Sequence, residues 1–312
     1  MTDQNSWPRV AVVGAGAVGG YFGGLLADAG APVVLIGRQG FVAAVQHDGL
    51  LLDTLQFKKR VRVEASANLS SVRGASLILF CVKTTDNAAT ARELARLLTS
   101  EATVLTMQNG VDNVEQIRNA AGIEALPAVV YVAASVPEPG QVKHVGRGDL
   151  VLGPECDRVK RVADIFARAK VSCRISNNIE GELWIKLISN CALNAISALG
   201  QARYRQIGEN EDARKVVEAV ANEVFAVARA AHVVLPGIGD AQAAVAISMT
   251  IATQMAGALS STAQDINRGK RTEIDSLNGY ISRRGAELGV PTPVNHALYT
   301  LVKLLEHRQQ KV

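Results

Sequence analysis

The sequence predicts an α/β protein with an N-terminal Rossmann-type doubly wound sheet over residues 1–177 and an all-helical C-terminal domain over 178–312. Three observations predict this. A short apolar strand runs into a glycine loop and then a helix at the N-terminus. Apolar runs of strand length then alternate with helical runs up to about Asn177, and beyond it only helical periodicity remains. With 312 residues, 48% of them hydrophobic and 4% aromatic, the chain can bury two cores. The formal charge of +4 is small and its Lys and Arg are scattered, which is weak ground for nucleic acid and suits an anionic small molecule equally well.

The first strand, Arg9 to Val13, leads into Gly14-Ala15-Gly16-Ala17-Val18-Gly19-Gly20 and a helical run from Tyr21 to Ala29. This is G-x-G-x-x-G in a strand–turn–helix setting. The first two glycines let the turn close and a pyrophosphate approach the backbone, and the third lets helix and sheet pack. Residues Gly14 to Gly19 are therefore the candidate dinucleotide loop. The second strand, Val33 to Ile36, ends in Gly37-Arg38-Gln39, where an NAD-preferring site carries an acid on the ribose 2′-hydroxyl. Arg38 instead suits a 2′-phosphate, so the expected cofactor is NADP.

Leu50–Leu52 and Phe57–Val63 read as a small hairpin insertion, with the basic run Lys58 to Arg62 on a solvated strand face. The strand Leu77 to Val82 ends at Lys83, before a helix Ala88–Leu98 capped by Asp86 or Asn87. Another strand, Thr103 to Met107, ends in Gln108-Asn109-Gly110. Ligands bind at the carboxyl ends of such strands, which makes Lys83 and Asn109 candidates, although Asn-Gly is also a plain turn. Short strands at Ala128–Val132, Gln141–His144 and Asp149–Leu152 and a helix at Val159–Ala169 complete the domain.

The helical part begins with ELWIKLISNCALNAISAL, Glu182 to Leu199, which carries one lysine in an otherwise uncharged run. At about 100° per residue, Lys186, Asn190, Asn194 and Ser197 fall within roughly 80° of one another and form a polar stripe on a helix that is otherwise apolar. That stripe can hold the oxygens of a small polar ligand. Equally, the lysine can snorkel to water while the amides bond neighbouring helices. Further helices are expected at Asp212–Ala230, Ala241–Leu259, Asp275–Leu288 and Val294–Glu306, with Thr292 capping the last and Pro293 at its first position. The uncharged run Ala241–Leu259 contains Gln, Ser and Thr and reads as a buried helix rather than a membrane span. Ser261-Thr-Ala-Gln264 fits a capping box, and Ser260 and Ser261 at a helix start can cradle a carboxylate. Glu273 fits either a first-turn acid or a catalytic group. Tyr299-Thr-Leu-Val-Lys303 matches the Y-x-x-x-K pair of short-chain dehydrogenases but lies in the last helix, far from where that pair belongs.

Cys81, Cys156, Cys173 and Cys191 have no C-x-x-C spacing and read as reduced, buried thiols of a cytoplasmic protein. The five histidines lack HExxH spacing, so no metal site is indicated. The N-terminus, MTDQNSWPRV, lacks the basic and apolar regions of a signal peptide.

Taken in order and spacing, GAGAVGG, VKTTD, QNG, ELWIKLISNCALNAISAL, SSTAQDINRGKRTEID and GVPTP resemble the ketopantoate reductase (2-dehydropantoate 2-reductase) family across nearly the whole chain. The resemblance implies NADPH-dependent reduction of 2-dehydropantoate to pantoate, a step toward pantothenate and coenzyme A. It implies Lys186 as general acid, Glu273 in support, and Asn109, Asn190, Asn194 and Ser261 as ligands of the 2-oxo acid. It also puts Lys83, Asn109 and Glu273 near the cofactor. The partner so implied is a small 2-oxo acid, with no nucleic acid and no membrane, and a homodimer is left open. The alternatives are an NAD(P)-dependent reductase of another small 2-oxo or 3-hydroxy acid and a non-enzymatic NADPH-sensing protein. Lys186 and Glu273 together count against a sensor.

Overall fold

The computed structural model describes residues 6–309. They form two compact units: the residues up to Gln108 with Asp112–Ile179, and Asn109–Val111 with the residues from Glu180 onward.

The first unit follows the order β1 (Val10–Val13), α1 (Ala17–Asp28), β2 (Val33–Ile36), α2 (Gln39–Asp48), β3 (Leu50–Asp53), β4 (Lys58–Val61), β5 (Glu64–Ser66), β6 (Leu77–Phe80), α3 (Asn87–Ala95), β7 (Thr103–Thr106), α4 (Asn113–Ala121), β8 (Leu126–Ser135), β9 (Gln141–Leu152), α5 (Asp157–Arg168) and β10 (Cys173–Ile175). The strands make one ten-stranded sheet in the order β4-β3-β9-β8-β7-β6-β1-β2-β5, with β10 beside β9. From β5 to β7 every pairing is parallel, and the strand order reverses between β1 and β6. Alternation explains the burial on both faces. Val10 and Val12 of β1, Val33 and Leu35 of β2, and Leu77 and Leu79 of β6 face a core shared with Phe22 and Leu26 of α1 and Phe166 of α5. The residues between them, such as Ala11, Val13, Ile78 and Phe80, face a second core with Leu94 of α3 and Ile117 of α4.

Several expectations need correction here. The second strand of the hairpin is shorter than Phe57–Val63: β4 pairs antiparallel with β3 and ends at Val61, and β5, which begins at Glu64, pairs parallel with β2 at the other end of the sheet order. The hairpin is part of the main sheet, because β3 also pairs with β9. The short strands between Ala128 and Leu152 merge into one long β8–β9 hairpin whose register shifts between Tyr131 and Val132 and between Ala133 and Ala134. Gly146 and Gly148 break the sequence pattern, but the ladder continues through them: Val145 and Gly148 are the bulged residues, with Arg147 at φ 54°. Helices α2 and α4 were missed, as were β5 and β10. The helix α3 begins after a 3-10 turn, Thr84–Asp86, and Asp86 stands at its N-cap without capping through its side chain. Cys156 is exposed rather than buried, Cys81 and Cys173 are half-buried and Cys191 is buried; all four are free thiols. Burial pushes the Cys173 thiol up to about 11.

The second unit is helical: α6 (Ile179–Gly200), α7 (Tyr204–Glu209), α8 (Glu211–Ala230), α9 (Ala241–Gln254), α10 (Ser261–Asn267), α11 (Asn278–Leu288) and α12 (Pro293–Gln309). Among the described residues α6 alone is long and apolar enough to cross a membrane, and 67% of its most apolar window is buried within the protein. Trp184, Ile188, Leu193 and Ala195 of α6 share a core with Val217 and Val224 of α8, Ala252 of α9, Ile281 of α11 and Val302 of α12. The expected helix Ala241–Leu259 stops at Gln254, and the expected helix from Asp275 is a 3-10 turn, Ile274–Ser276, followed by α11. Gly289, at φ 68°, closes α11 in the left-handed conformation that glycine allows.

The start of α12 has a partner that sequence spacing does not show. Both oxygens of Glu223 on α8 accept from it, Oε1 from Val294 N–H at 2.8 Å and Oε2 from Asn295 N–H at 2.9 Å and Asn295 Nδ2 at 2.8 Å. The carboxylate thus satisfies first-turn donors at the positive end of the helix dipole. Glu223→Ala should lower unfolding free energy by about 1–3 kcal/mol with the denaturant slope unchanged, and Glu223→Gln by less. A loss indistinguishable from zero in urea unfolding would remove the capping role.

Candidate active site

In the first unit the candidate groups gather at the carboxyl ends of β1, β2 and β6. The N–H groups of Gly14 and Ala15 both donate to the carbonyl of Ile36, at 3.0 and 2.8 Å, which ties the glycine turn to the end of β2. Gly14 has φ +100°, and a Cβ there would lie 2.6 Å from the backbone of Cys81 and Val82, so only glycine fits. At Gly16 a Cβ would meet nothing within 4 Å, so the bare backbone faces open space. Helix α1 starts there with no side-chain cap and no acid in its first turn, made up of Ala17, Val18 and Gly19. Uncapped N–H donors at the positive end of a helix dipole, beside a backbone that a ligand can approach, fit the pyrophosphate of a dinucleotide. Arg38 is exposed at the N-cap of α2, two residues beyond β2, and Lys83 is half-buried after β6 at the start of the 3-10 turn.

A buried amide ladder fixes this rim. Gln108 accepts from the Thr106 hydroxyl at 2.8 Å and donates to the Val82 carbonyl at 2.8 Å and to the Asn87 side chain. Asn87 in turn donates to Asn113 at 2.9 Å and Gln116 at 3.1 Å. Asn87 is therefore engaged by the start of α4 rather than capping α3.

In the second unit, Lys186 and Asn190 are half-buried one turn apart on α6, and Asn194 and Ser197 below them are buried. The lower half of the stripe has structural partners. The Tyr204 hydroxyl donates to Asn194 Oδ1 at 2.9 Å, and burial pushes that hydroxyl's pKa upward. Ser197 donates to the Ala202 carbonyl at 2.7 Å and accepts from Ser260 N–H at 3.2 Å. Ser260 donates its hydroxyl to the Asn194 carbonyl at 3.1 Å and accepts from Ala263 N–H at 3.0 Å. The expected capping box on Ser261 is thus displaced by one residue: Ser260 is the cap, Gln264 bonds back to the Leu259 carbonyl at 3.1 Å, and Ser261 is left exposed in the first turn. Asn109 and Glu273, far apart in sequence, meet here, with Asn109 Nδ2 donating to Glu273 Oε2 at 3.2 Å. Glu273 is only 7% exposed and precedes the 3-10 turn rather than lying inside a helix.

The family model "Ketopantoate reductase PanE/ApbA" matches residues 10–155, and the model of that family's C-terminal part matches 178–306. A 2-dehydropantoate 2-reductase of Pyrococcus abyssi is 31% identical over 299 residues, covering 95% of this chain and 97% of the relative. The chain belongs to the ketopantoate reductase family. A PanE/ApbA family ketopantoate reductase structure from Ralstonia eutropha is 48% identical, with TM-score 0.91 over 97% of this chain and 99% of that one. D-Mandelate dehydrogenase, solved with NADH and anilino(oxo)acetate, is 25% identical, with TM-score 0.89 over 97% of this chain and 99% of its own.

Within this ketopantoate reductase fold, sequence reasoning missed the structural partners of Gln108 and Tyr204, read Asn87 as a cap for α3 and placed Ser260 at a helix start without its bond to α6. The available signal was polar residues next to apolar runs, which says that a partner exists but not which one. The Y-x-x-x-K pair is engaged elsewhere: Tyr299 donates to Asp275 Oδ1 at 2.9 Å and Lys303 to Asp275 Oδ2 at 2.9 Å. Ser260→Ala should destabilise the protein by about 1–2 kcal/mol through the lost cap and the lost bond to α6, whereas Ser261→Ala should cost under about 0.5 kcal/mol. Thermal and urea unfolding of the two variants checks the contrast, and equal losses would contradict the assignment of the cap.

Proposed function

We propose that this chain is an NADP-dependent oxidoreductase that reduces 2-dehydropantoate to pantoate, in the synthesis of pantothenate and coenzyme A. Family membership supports the reaction class. The observation that carries the residue assignment is Lys186, one cation half-buried in a helix run that is otherwise uncharged between Glu182 and the chain beyond Gln201.

NADPH, when bound, supplies a hydride to the carbonyl carbon of the substrate. The Lys186 ammonium then gives a proton to the oxygen, which would otherwise carry the full alkoxide charge. Asn190 and Asn194 hold the hydroxyl and carbonyl oxygens, and Ser261, with the N–H groups of the first turn of α10, holds the carboxylate. Glu273, which accepts from Asn109 at 3.2 Å, is assigned the supporting role to Lys186. The loop Gly14, Ala15, Gly16, Ala17, Val18 and Gly19 cradles the pyrophosphate, with Lys83, Asn109 and Glu273 as further cofactor contacts. Arg38, exposed where an acid would favour NAD, is read as the partner of the 2′-phosphate.

The likeness to D-mandelate dehydrogenase favours a second reading, reduction of another small 2-oxo acid by the same residues. Turnover of 2-dehydropantoate, phenylglyoxylate and a series of aliphatic 2-oxo acids with NADPH and NADH separates the two. The expected result is highest kcat/KM for 2-dehydropantoate with NADPH, and a branched or aromatic competitor that wins would shift the assignment. Arg38→Ala should narrow the preference for NADPH over NADH; a wild type that uses NADH as well as NADPH defeats the 2′-phosphate reading.

Lys186→Met should keep the fold and NADPH binding, since Met fills most of the volume of the stem and removes a costly charge. Its kcat should fall by at least about 10²-fold, the usual worth of a positioned acid. A kcat within a few-fold of wild type would return Lys186 to a snorkelling role.

A further inference from the structure

Glu273 stands in a weakly structured stretch. Helix α10 ends at Asn267, and only a 3-10 turn, Ile274–Ser276, separates that stretch from α11. Locally, Ile274 N–H donates to the Thr272 hydroxyl at 3.2 Å and Ser276 N–H to the Glu273 carbonyl at 2.9 Å. Further ties come from one face of α12, where Tyr299, Lys303 and Glu306 recur at i, i+4 and i+7. On one side of Glu273, Thr272 N–H donates to Glu306 Oε1 at 2.6 Å. On the other side, Asp275 accepts from Tyr299 and from Lys303, both at 2.9 Å. Lys303 also reaches Glu306 Oε2 at 3.1 Å, so both halves share one ammonium. Arg283 of α11 donates to the Asp275 carbonyl at 2.8 Å and completes the grip.

We propose that Tyr299, Lys303 and Glu306 are positioning residues for Glu273: α12 holds Thr272, the residue before it, and Asp275, two places after it, and so fixes where its carboxylate stands against Asn109. Glu306 is almost wholly buried and Lys303 about a quarter exposed. A charge-assisted pair so placed holds its geometry better than a solvated one. Burial disfavours charge on Lys303, but its hydrogen bonds to Asp275 and Glu306 outweigh this and hold its pKa above the ordinary lysine range. Met at 303 leaves the carboxylates of Asp275 and Glu306 near each other without a cation, and the segment between Thr272 and Asp275 loosens. Arg at 303 keeps a charge that can reach both.

The inference rests on the reading of Glu273 as part of the reducing site, and a double-mutant cycle in the full chain with NADPH and 2-dehydropantoate separates the two. Lys303→Met should lower kcat about three- to tenfold with little change in KM for the oxo acid, the size of effect expected of a residue that acts through another. Lys303→Arg should restore most of it. In a Glu273→Gln background, Lys303→Met should cost almost nothing further, because the group it positions is already gone. Tyr299→Phe, which deletes one hydroxyl and keeps the packing, should show the same dependence on background at about two- to fourfold, and it carries the test if Lys303→Met does not fold. Losses that are equal in both backgrounds, or absent from the wild-type background while Glu273→Gln is impaired, overturn the positioning role alone. A Glu273→Gln enzyme with unaltered kcat overturns the reading of Glu273 and this inference with it. Tm and NADPH affinity, measured by fluorescence titration, report separately whether a variant has lost stability or cofactor binding.

Discussion

Helix α6 is buried on nearly every face, so each polar side chain it carries must find a partner inside the protein or be matched by a ligand. That requirement orders the second unit. Toward its carboxyl end, Ser197 and the carbonyl of Asn194 take up Ser260, which sets the first turn of α10, and Asn194 takes up Tyr204 at the start of α7. The Cys191 carbonyl accepts from Asn278 of α11, whose amide also bonds Asn295 of α12. Three elements are therefore docked by polar atoms that would be costly to bury unpaired. The apolar faces supply most of the burial energy, but they are nondirectional, and the hydrogen bonds select one arrangement of helices among several of similar burial.

The first unit obeys a different constraint. Its central strands are buried on both faces, so register and strand order are set by alternate residues packing against different helices. This made the fold class and the glycine loop legible from sequence: β1 and β2 read as strands because all their residues are apolar, and β2 ends where the pattern says it ends. What escaped were the elements whose pattern is short or mixed. Helix α2, QGFVAAVQHD, opens on a glycine-rich loop and is only partly apolar, and β5 has three residues with one buried. Helix α7 is six residues long, too short for helical periodicity to separate it from a loop, whereas α10 was legible only from its capping residues. The β8–β9 hairpin was fragmented because a bulge shifts the alternation by one residue in mid-strand.

The candidate site divides along the same line. Placement set by one local motif was legible, as with the turn at Gly14 and Gly16 and the α6 stripe as one face of a helix. Pairings across long sequence distances could not. Asn109 and Glu273 are 164 residues apart, and Thr272 and Glu306 are 34 apart; each residue alone has an ordinary local explanation, as a turn, a loop or a helix acid. For the same reason Tyr299 and Lys303 invited comparison with a motif from another fold, when their common partner, Asp275, lies more than twenty positions back.

The two terminal strands of the sheet, β4 and β5, are joined by Arg62 and Val63 alone, so Val61 and Glu64 stand about 11 Å apart at most. The sheet must therefore curl until its first and last strands come close, and its two open margins are among its shortest strands. On β4, Lys58, Lys59 and Arg60 are all exposed; Lys58 pairs with Asp53 at 3.3 Å, and Lys59 pairs with Asp28 at 2.6 Å. A flat, apolar margin would invite a second chain to add a strand. Here an incoming backbone meets four residues of edge, three of them cationic, and the solvated basic face disfavours the addition of a strand.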